Sequence, residues 1–230
     1  MPIDLSNGLF RFEPAIKVVG RVEVPSLSVD MIHSETMLFS SDWFFARANG
    51  GPITKAIMKA IPADDVQRML WRSIDKRDYN VVIDTRCHML MAGMLPAIGG
   101  WHCDDFPRDE TYSQPDLTRP DSMVQHYTAT LSTHEHGVSN TLFLDSPIEI
   151  GIDPEKVWKS VHLSIEDQEP EVTRSTDGNI LWFNQDAIHK AEVCRNPGWR
   201  YFFRLSFTPR KPQNIIRRQV QVYLPEAEGW

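Results

Sequence analysis

The chain has 230 residues, of which 41% are hydrophobic and 24% charged, and its formal net charge is −7. This apolar content is sufficient for one sizeable core, and the acidic balance argues against a protein that holds nucleic acid through a general basic field. Three cysteines, an odd number without a Cys-x-x-Cys pair, favour a reducing cytoplasm over secretion. The opening MPIDLSNG has no leader-like pattern and no apolar run is long enough to span a bilayer, so we expect no membrane segment.

The first third of the chain predicts one strand and two helices. Residues 15–24 alternate loosely between apolar and polar side chains and end at a proline, a pattern that favours a strand. Apolar residues recur at helical spacing from Pro52 to about Lys76, and Pro62 interrupts them. We therefore predict two helices joined at this proline, with apolar stripes that pack on a sheet.

Short strands are predicted over most of the remaining chain. They are separated by turn residues and comprise Tyr79–Ile83, Arg86–Met91, Val124–Ser132, Asn140–Leu144, Val157–Ile165 and Asn179–Phe183. The third and fourth of these are expected to form a hairpin around the turn at 134–137. Residues 106–122 are rich in proline and polar side chains, which predicts a long loop over a site.

This order of elements predicts the fold class. Many short strands with helices confined to the first third indicate a mainly β protein with flanking helices and a jelly-roll core, that is, a cupin-like double-stranded β-helix. We expect one domain, 1–230, with the strand and helical flank at about 1–78 and the jelly-roll core at about 79–225.

The segment GGWHCDD, residues 99–105, places His102 and Asp104 two positions apart after a predicted strand. In an extended chain these two side chains share a face, whereas Cys103 points to the other face. A mononuclear Fe(II) centre that activates oxygen uses two imidazole nitrogens and one carboxylate on one face. His102 and Asp104 are therefore candidates for one nitrogen ligand and the oxygen ligand, with Asp105 as a rival for the carboxylate.

The second nitrogen ligand is expected on a strand distant in sequence but adjacent in the barrel. His189, at the end of ILWFNQDAIH, has this position. His134 and His136 have the spacing of a cupin ligand pair, but no glutamate follows them, so we expect a solvated turn. The remaining histidines are expected to be structural, with His126 the best placed of them to line the cavity: His33, His88, His126 and His162.

The strand predicted over Trp199–Phe207 divides into two faces by parity. The odd positions form an apolar face expected to pack on the helices: Tyr201, Phe203, Leu205 and Phe207. The even positions lie on the opposite face, inside the predicted barrel, and include two guanidinium groups: Arg200, Phe202, Arg204 and Ser206. Because a guanidinium matches a carboxylate in bidentate geometry, an inward arginine suggests a carboxylate-bearing co-substrate, although a structural ion pair would also satisfy it.

Four motifs occur in a familiar order: His102-x-Asp104, an Asn-Thr-Leu-Phe sequence that contains Thr141, then His189, and arginines eleven and fifteen residues after it. Over about residues 85–208 the chain thereby resembles the Fe(II)/2-oxoglutarate-dependent dioxygenases, most closely the taurine dioxygenase and phytanoyl-CoA hydroxylase branches. The departure from the family pattern is Gly-Val-Ser-Asn-Thr in place of Gly-Gly-Asp-Thr.

The resemblance implies roles for individual residues. His102, Asp104 and His189 would bind iron, and Thr141 would hydrogen-bond 2-oxoglutarate. Arg200 would bind the distal carboxylate of this co-substrate. Arg204 and Ser206 also form the Arg-x-Ser of some relatives, so either arginine is a candidate for the co-substrate and the other for an anionic group of the substrate.

The implied activity is oxidative decarboxylation of 2-oxoglutarate to succinate with O2, coupled to hydroxylation of a small molecule, preferably an anionic one. Two alternatives remain open at this point. One is a non-catalytic jelly-roll binding module with a vestigial or structural metal site. The other is a non-redox, cupin-type metalloenzyme, which would not need the inward arginine.

Overall fold

The computed structural model describes residues 2–6 and 8–225, and the parts of the expected domain at Met1, Asn7 and 226–230 lie outside the described residues. The helices are α1 (Val29–His33), α2 (Trp43–Asn49), α3 (Pro52–Ala60), α4 (Ala63–Asp75) and α5 (Val157–Gln168). The strands are β1 (Ile3–Ser6), β2 (Leu9–Phe12), β3 (Ile16–Arg21), β4 (Met37–Phe39), β5 (Ser41–Asp42), β6 (Asn80–Leu90), β7 (Gln125–Ser132), β8 (Thr141–Leu144), β9 (Ile148–Gly151), β10 (Val172–Arg174), β11 (Asn179–Asn184), β12 (His189–Ala191), β13 (Gly198–Thr208) and β14 (Ile215–Arg217). The chain is mainly β, as predicted, with antiparallel sheets.

The largest sheet has six strands in the order β3-β11-β7-β13-β6-β5. Its longest pairing joins β13 to β6 over the full length of both strands. The prediction of two strands between residues 79 and 91 was wrong, because β6 runs without a break through Asp84 and Thr85. Both polar side chains are satisfied inside the protein: Asp84 accepts from the backbone of Ser40, and the Thr85 hydroxyl accepts from the backbone of Leu38.

The two helices predicted on either side of Pro62 are present as α3 and α4 and pack on the outer face of this sheet. The four apolar odd residues predicted to pack on the helices are fully buried in the same apolar cluster as the helical residues: Tyr201, Phe203, Leu205 and Phe207. The buried carboxylate of Glu35 accepts hydrogen bonds from the backbone of Ile53 and the hydroxyl of Thr54, and so caps the first turn of α3. The face turned to the helices is therefore a closed core.

A three-stranded sheet, in the order β10-β8-β12, faces the large one. The predicted hairpin between the strands at 124–132 and 140–144 was wrong, because β7 belongs to the large sheet and β8 to the small one. Both edges of β7 are occupied, by β11 and β13, so no edge is available for β8. The chain between these strands instead crosses from one sheet to the other.

Helix α5 occupies the segment where we predicted a strand at Val157–Ile165. The alternation of Val161, Leu163 and Ile165 suggested a strand, but Leu163 is exposed, and the buried residues follow a helical period. These buried residues are Val157, Trp158, Val161 and Ile165. The helices are consequently not confined to the first third of the chain.

The remaining strands form two small sheets, β1-β2-β9 and β14-β4. Residues 106–122 contain neither a helix nor a strand, in agreement with the predicted loop. All three cysteines are buried and free. Within the described ranges, no helix has the length and apolar character needed to cross a membrane.

Candidate metal centre

A cavity of about 370 Å³ lies between the six-stranded and the three-stranded sheets. The large sheet contributes Arg86, His88, Thr128, Arg200, Phe202 and Arg204, and the small sheet contributes Thr141, Phe143, His189 and Ala191. Phe106, Arg108 and Pro115 of the predicted loop also line it. The inward orientation predicted for Arg200 and Arg204 is thus confirmed.

Three of the predicted site residues meet at one end of this cavity. One ligand atom from each of His102, Asp104 and His189 lies within 4.8 Å of the others, and Asp104 Oδ2 is 3.5 Å from His189 Nε2. His102 and His189 face each other in an antiparallel bridge and exchange both backbone hydrogen bonds, at 3.0 and 2.9 Å. Paired residues of this kind project their side chains to the same face, so the bridge sets the two imidazoles side by side, with ring centroids 4.7 Å apart.

The backbone fixes the orientation of both imidazoles. His102 Nδ1 lies 3.1 Å from the carbonyl of Gly100, and His189 Nδ1 lies 2.8 Å from that of Ala187. Because a carbonyl only accepts, each Nδ1 carries the proton and each Nε2 keeps its lone pair for a ligand. Burial, followed by the proximity of His189, lowers the pKa of His102 to about 4, which favours its neutral, metal-binding form.

Asp104 is held by an arginine. Arg204 Nη1 donates to Asp104 Oδ2 at 2.5 Å, and Arg204 Nη2 donates to Asp84 at 3.2 Å. Burial alone would raise the pKa of Asp104, but the charge of Arg204 holds it well below its usual value. The same carboxylates, against the effect of burial, raise the pKa of Arg204 above its usual range.

The rival carboxylate, Asp105, is directed elsewhere. Its backbone has a φ of 57°, in the left-handed region, and its Oδ1 pairs with Arg210 Nε at 3.0 Å. Among the described residues, the one group with the composition and spacing of a metal site contains Asp104 and not Asp105. Cys103 packs in an apolar cluster with Trp101 and is not part of the group, as expected from its parity.

Arg200 lies deep in the cavity wall and is 3% exposed. Its Nε donates to the carbonyl of Ser139 at 2.6 Å, and one Nη is 3.5 Å from Thr130 Oγ1. Within residues 2–6 and 8–225, no carboxylate lies at ion-pair distance from Arg200. Burial lowers its pKa to about 10, so it remains a cation at neutral pH.

Thr141 lines the same part of the cavity. Its backbone is fixed by a reciprocal pair of bonds: the amide donates to Ser175 Oγ at 2.9 Å, and the carbonyl accepts from the amide of Ser175 at 2.8 Å. Thr141 is opposite Ala191 in the strand register, one step of two residues from the Phe143–His189 pair. It therefore lies between the metal ligands and Ser139, the partner of Arg200.

The other predicted residues lie outside the ligand group. Ser206 is fully buried and its Oγ lies 2.9 Å from His126 Nδ1, away from the cavity lining. His126 stacks on Phe183 and does not line the cavity either. His134 and His136 form the predicted turn, where His136 is exposed and pairs with Glu135.

Three residues of the cavity wall were not predicted from the sequence: Arg86, His88 and Phe202. Phe202 was on the inward face of β13 but had no assigned role, and His88 was expected to be structural. Burial, together with Arg200 and Arg86, lowers the pKa of His88 to about 3, so it is neutral. Reading β6 as one strand would have placed Asp84, Arg86 and His88 on one face by parity.

Comparison of the chain with known protein families and with curated proteins found no match. The chemistry of the site must therefore be argued from its geometry. Metal–ligand bonds of about 2.1 Å place neighbouring donors of an octahedral ion about 3 Å apart, which is close to the spacing of His189 and Asp104. Two imidazoles and one carboxylate in this arrangement could hold a metal ion.

Proposed function

We propose that the protein is an Fe(II)- and 2-oxoglutarate-dependent oxygenase that hydroxylates a small molecule. One observation carries the proposal. His102, Asp104 and His189 converge on a cavity whose wall also holds Arg200, a buried cation with no carboxylate at ion-pair distance in the described chain, although the charge of Asp177 acts on it from further away. A metal site next to such an arginine suits a co-substrate that chelates through one end and ends in a second carboxylate.

The arrangement of the sheets supports a jelly-roll, or double-stranded β-helix, as the fold of this oxygenase. Two antiparallel sheets enclose the cavity, and an apolar cluster connects them through Phe143 of β8 and Phe183 of β11. His189 comes from the small sheet, and His102 extends that sheet by the bridge to β12. A site inside the mouth of such a barrel is a common position for a small-molecule centre.

In this proposal, His102, Asp104 and His189 hold the iron. Bound Fe(II) would supply the activation of O2, coupled to oxidative decarboxylation of 2-oxoglutarate to succinate and CO2. Arg204 keeps Asp104 ionised and in position, because its guanidinium donates hydrogen bonds to both Asp104 and Asp84. Arg204 is therefore a positioning residue and is not free to bind a co-substrate.

Arg200 and Thr141 bind the co-substrate. Thr141 lies one register step from the metal ligands, and Arg200 is bonded to the carbonyl two residues before Thr141. Thr141 would hydrogen-bond a dicarboxylate held at the metal, and the Arg200 guanidinium would bind its distal carboxylate. Phe143 and Trp158 also line the cavity and present apolar surface beside the ligands, with ring centroids 5.4 Å from His189 and 6.5 Å from His102, respectively.

The test is iron-dependent formation of succinate from 2-oxoglutarate in air, measured with the full chain. We expect the protein loaded with Fe(II) to form succinate, and the His102→Ala variant to lose iron binding and succinate formation together. His136→Ala is the matched control, because this exposed histidine lies in a turn outside the ligand group, and its activity should equal that of the wild type.

Three results would contradict the proposal. Undiminished succinate formation by His102→Ala would remove the ligand assignment. Activity with Zn(II) or Mn(II) that does not depend on O2 would favour a non-redox metalloenzyme, and tight metal retention with no 2-oxoglutarate turnover would favour a binding module.

A further inference from the structure

We infer that Arg86 forms a second anion subsite in the cavity, separate from Arg200, and that it binds the acidic group of a small organic substrate. The inference rests on the proposed function, because it assigns the substrate of the same site. Carboxylate, sulfonate and phosphate groups share the required chemistry, since all accept paired hydrogen bonds from a guanidinium.

The distribution of charge in the cavity wall supports this second subsite. Three arginines face the cavity from the large sheet: Arg86, Arg200 and Arg204. Arg204 is compensated by Asp104 and Asp84. In the described part of the chain, neither Arg86 nor Arg200 has a carboxylate within ion-pair distance, so two of these three cations of the large sheet remain for ligands, besides Arg108 at the rim.

The guanidinium of Arg86 makes no hydrogen bond within residues 2–6 and 8–225. The nearest acid along its strand, Asp84, is occupied by Arg204, Arg210 and the backbone of Ser40. Burial, and then the charge of Arg204, lower the pKa of Arg86. Arg86 is partly buried in the cavity wall, and a bound anion would supply the charge partner that this cation does not have at ion-pair distance.

The position of Arg86 relative to Arg200 also supports a separate subsite. Arg86 is opposite Phe202 in the β6–β13 register, whereas Arg200 is opposite His88, one step further along. The two arginines are close enough for Arg86 to lower the pKa of Arg200. Two neighbouring cations suit two separate anions, one from the co-substrate and one from the substrate.

The surroundings of Arg86 restrict the rest of the substrate. Phe202, Ile98 and Tyr223 line the cavity, and Tyr223 is held by two backbone bonds to Leu95, at 2.8 and 2.9 Å. A cavity of about 370 Å³ is near the lower end of the range for small-molecule sites and must also accommodate the co-substrate. These features fit a compact organic anion with an apolar part.

The test uses sulfate as the probe and isothermal titration of the full chain at low ionic strength, with and without saturating 2-oxoglutarate under argon. We expect wild-type protein to bind sulfate in both conditions, and Arg86→Gln to weaken this binding by a factor of about 10 or more. The matched control is Arg72→Gln, which removes the same charge from the exposed surface of α4, outside the cavity. Its sulfate affinity should equal that of the wild type.

A second variant, Arg86→Met, separates binding from folding. Its thermal midpoint should equal or exceed that of the wild type, because the side chain keeps its length and loses an uncompensated charge. It should nevertheless lose the sulfate binding that the wild type shows at saturating 2-oxoglutarate, when Arg200 is occupied. Titrations with acetate and methyl phosphate then distinguish a carboxylate from a phosphate ligand, and both should depend on Arg86.

The experiment distinguishes failure of this inference from failure of the proposed function. Sulfate affinity that is equal in Arg86→Gln and wild type would overturn the subsite, even if 2-oxoglutarate binds. Loss of sulfate and 2-oxoglutarate together in both Arg86→Gln and Arg200→Gln would also overturn it, since it would indicate one shared site. If 2-oxoglutarate fails to bind to wild-type protein, the proposed function fails, while the sulfate titrations still decide the role of Arg86.

Discussion

The two faces of β13 differ in what their side chains contact. Its odd residues, such as Phe203, are fully buried against the helices, whereas its even residues place Arg200, Phe202 and Arg204 in the cavity wall. The first face is closed by apolar contacts, and the second holds cations whose partners are acids or ligands. One strand therefore connects the stability of the fold to the proposed chemistry, and substitutions on its two sides should have separable effects.

The largest effect is expected at the metal ligand opposite this strand. His189→Ala removes one of the two nitrogen donors, and we expect metal affinity to fall by more than about 100-fold, beyond the effect of losing an outer partner, and turnover to be lost. Metal titration and succinate formation measure the two quantities. His134→Ala, in the turn outside the ligand group, should behave as wild type; a full loss of metal in that variant would contradict the assignment.

The next largest effect is expected on the helical face. Phe203→Ala should lower the free energy of unfolding by about 4 kcal/mol, because it leaves a cavity in a fully buried apolar cluster. Urea unfolding of the apo-protein measures the change. Metal affinity under folding conditions should remain within a factor of about 3 of the wild type, as expected for independent sites. A fall in metal affinity as large as the fall in stability would show that the two faces are not separable.

On the cavity face, Arg200→Gln should raise the dissociation constant for 2-oxoglutarate about 100-fold, or about 2.7 kcal/mol, because a buried carboxylate loses its charged partner. Metal affinity should not change, since Arg200 contacts none of the ligands. An anaerobic titration of the iron-loaded variant measures both quantities. If Arg204→Gln alone raises the requirement for 2-oxoglutarate at saturating metal, the co-substrate binds to the other arginine.

The smallest effect is expected at Arg204, which acts through Asp104. Arg204→Met should weaken metal binding about 10-fold, the lower range for an outer partner of a ligand. Arg204→Lys should restore part of this affinity, because it keeps a charge beside Asp104, whereas a purely steric role would not respond to charge. Equal metal affinity in the methionine and lysine variants would contradict the positioning role.

The same comparison explains what the sequence could predict. The parity of β13 is local information, so the buried face of Phe203 and the inward arginines were predicted correctly. The meeting of His102, Asp104 and His189 was also predicted, because the spacing of the first two puts them on one face and a downstream histidine was required. In these cases the order of residues along the chain is sufficient to predict which side chains lie together.

The errors concern interactions between distant segments. Arg86 was missed because Asp84 interrupts the apolar pattern of β6. The partners of Asp84 are Arg204 and Arg210, which lie more than a hundred residues away in the sequence. Likewise, β7 and β8 are close in the sequence, but β11 and β13 occupy both edges of β7. Helix α5 showed strand-like alternation over a short stretch, and only its burial on the apolar cluster with Trp101 reveals the helical period.

The most direct test of the central claim is an anaerobic titration of the apo-protein with Fe(II) and then 2-oxoglutarate. A weak visible charge-transfer band arises only when the keto acid chelates the iron. We predict that the band appears in wild-type protein and is absent from His189→Ala under the same conditions. Folded wild-type protein that binds Fe(II) and shows no band with 2-oxoglutarate would contradict the proposed function.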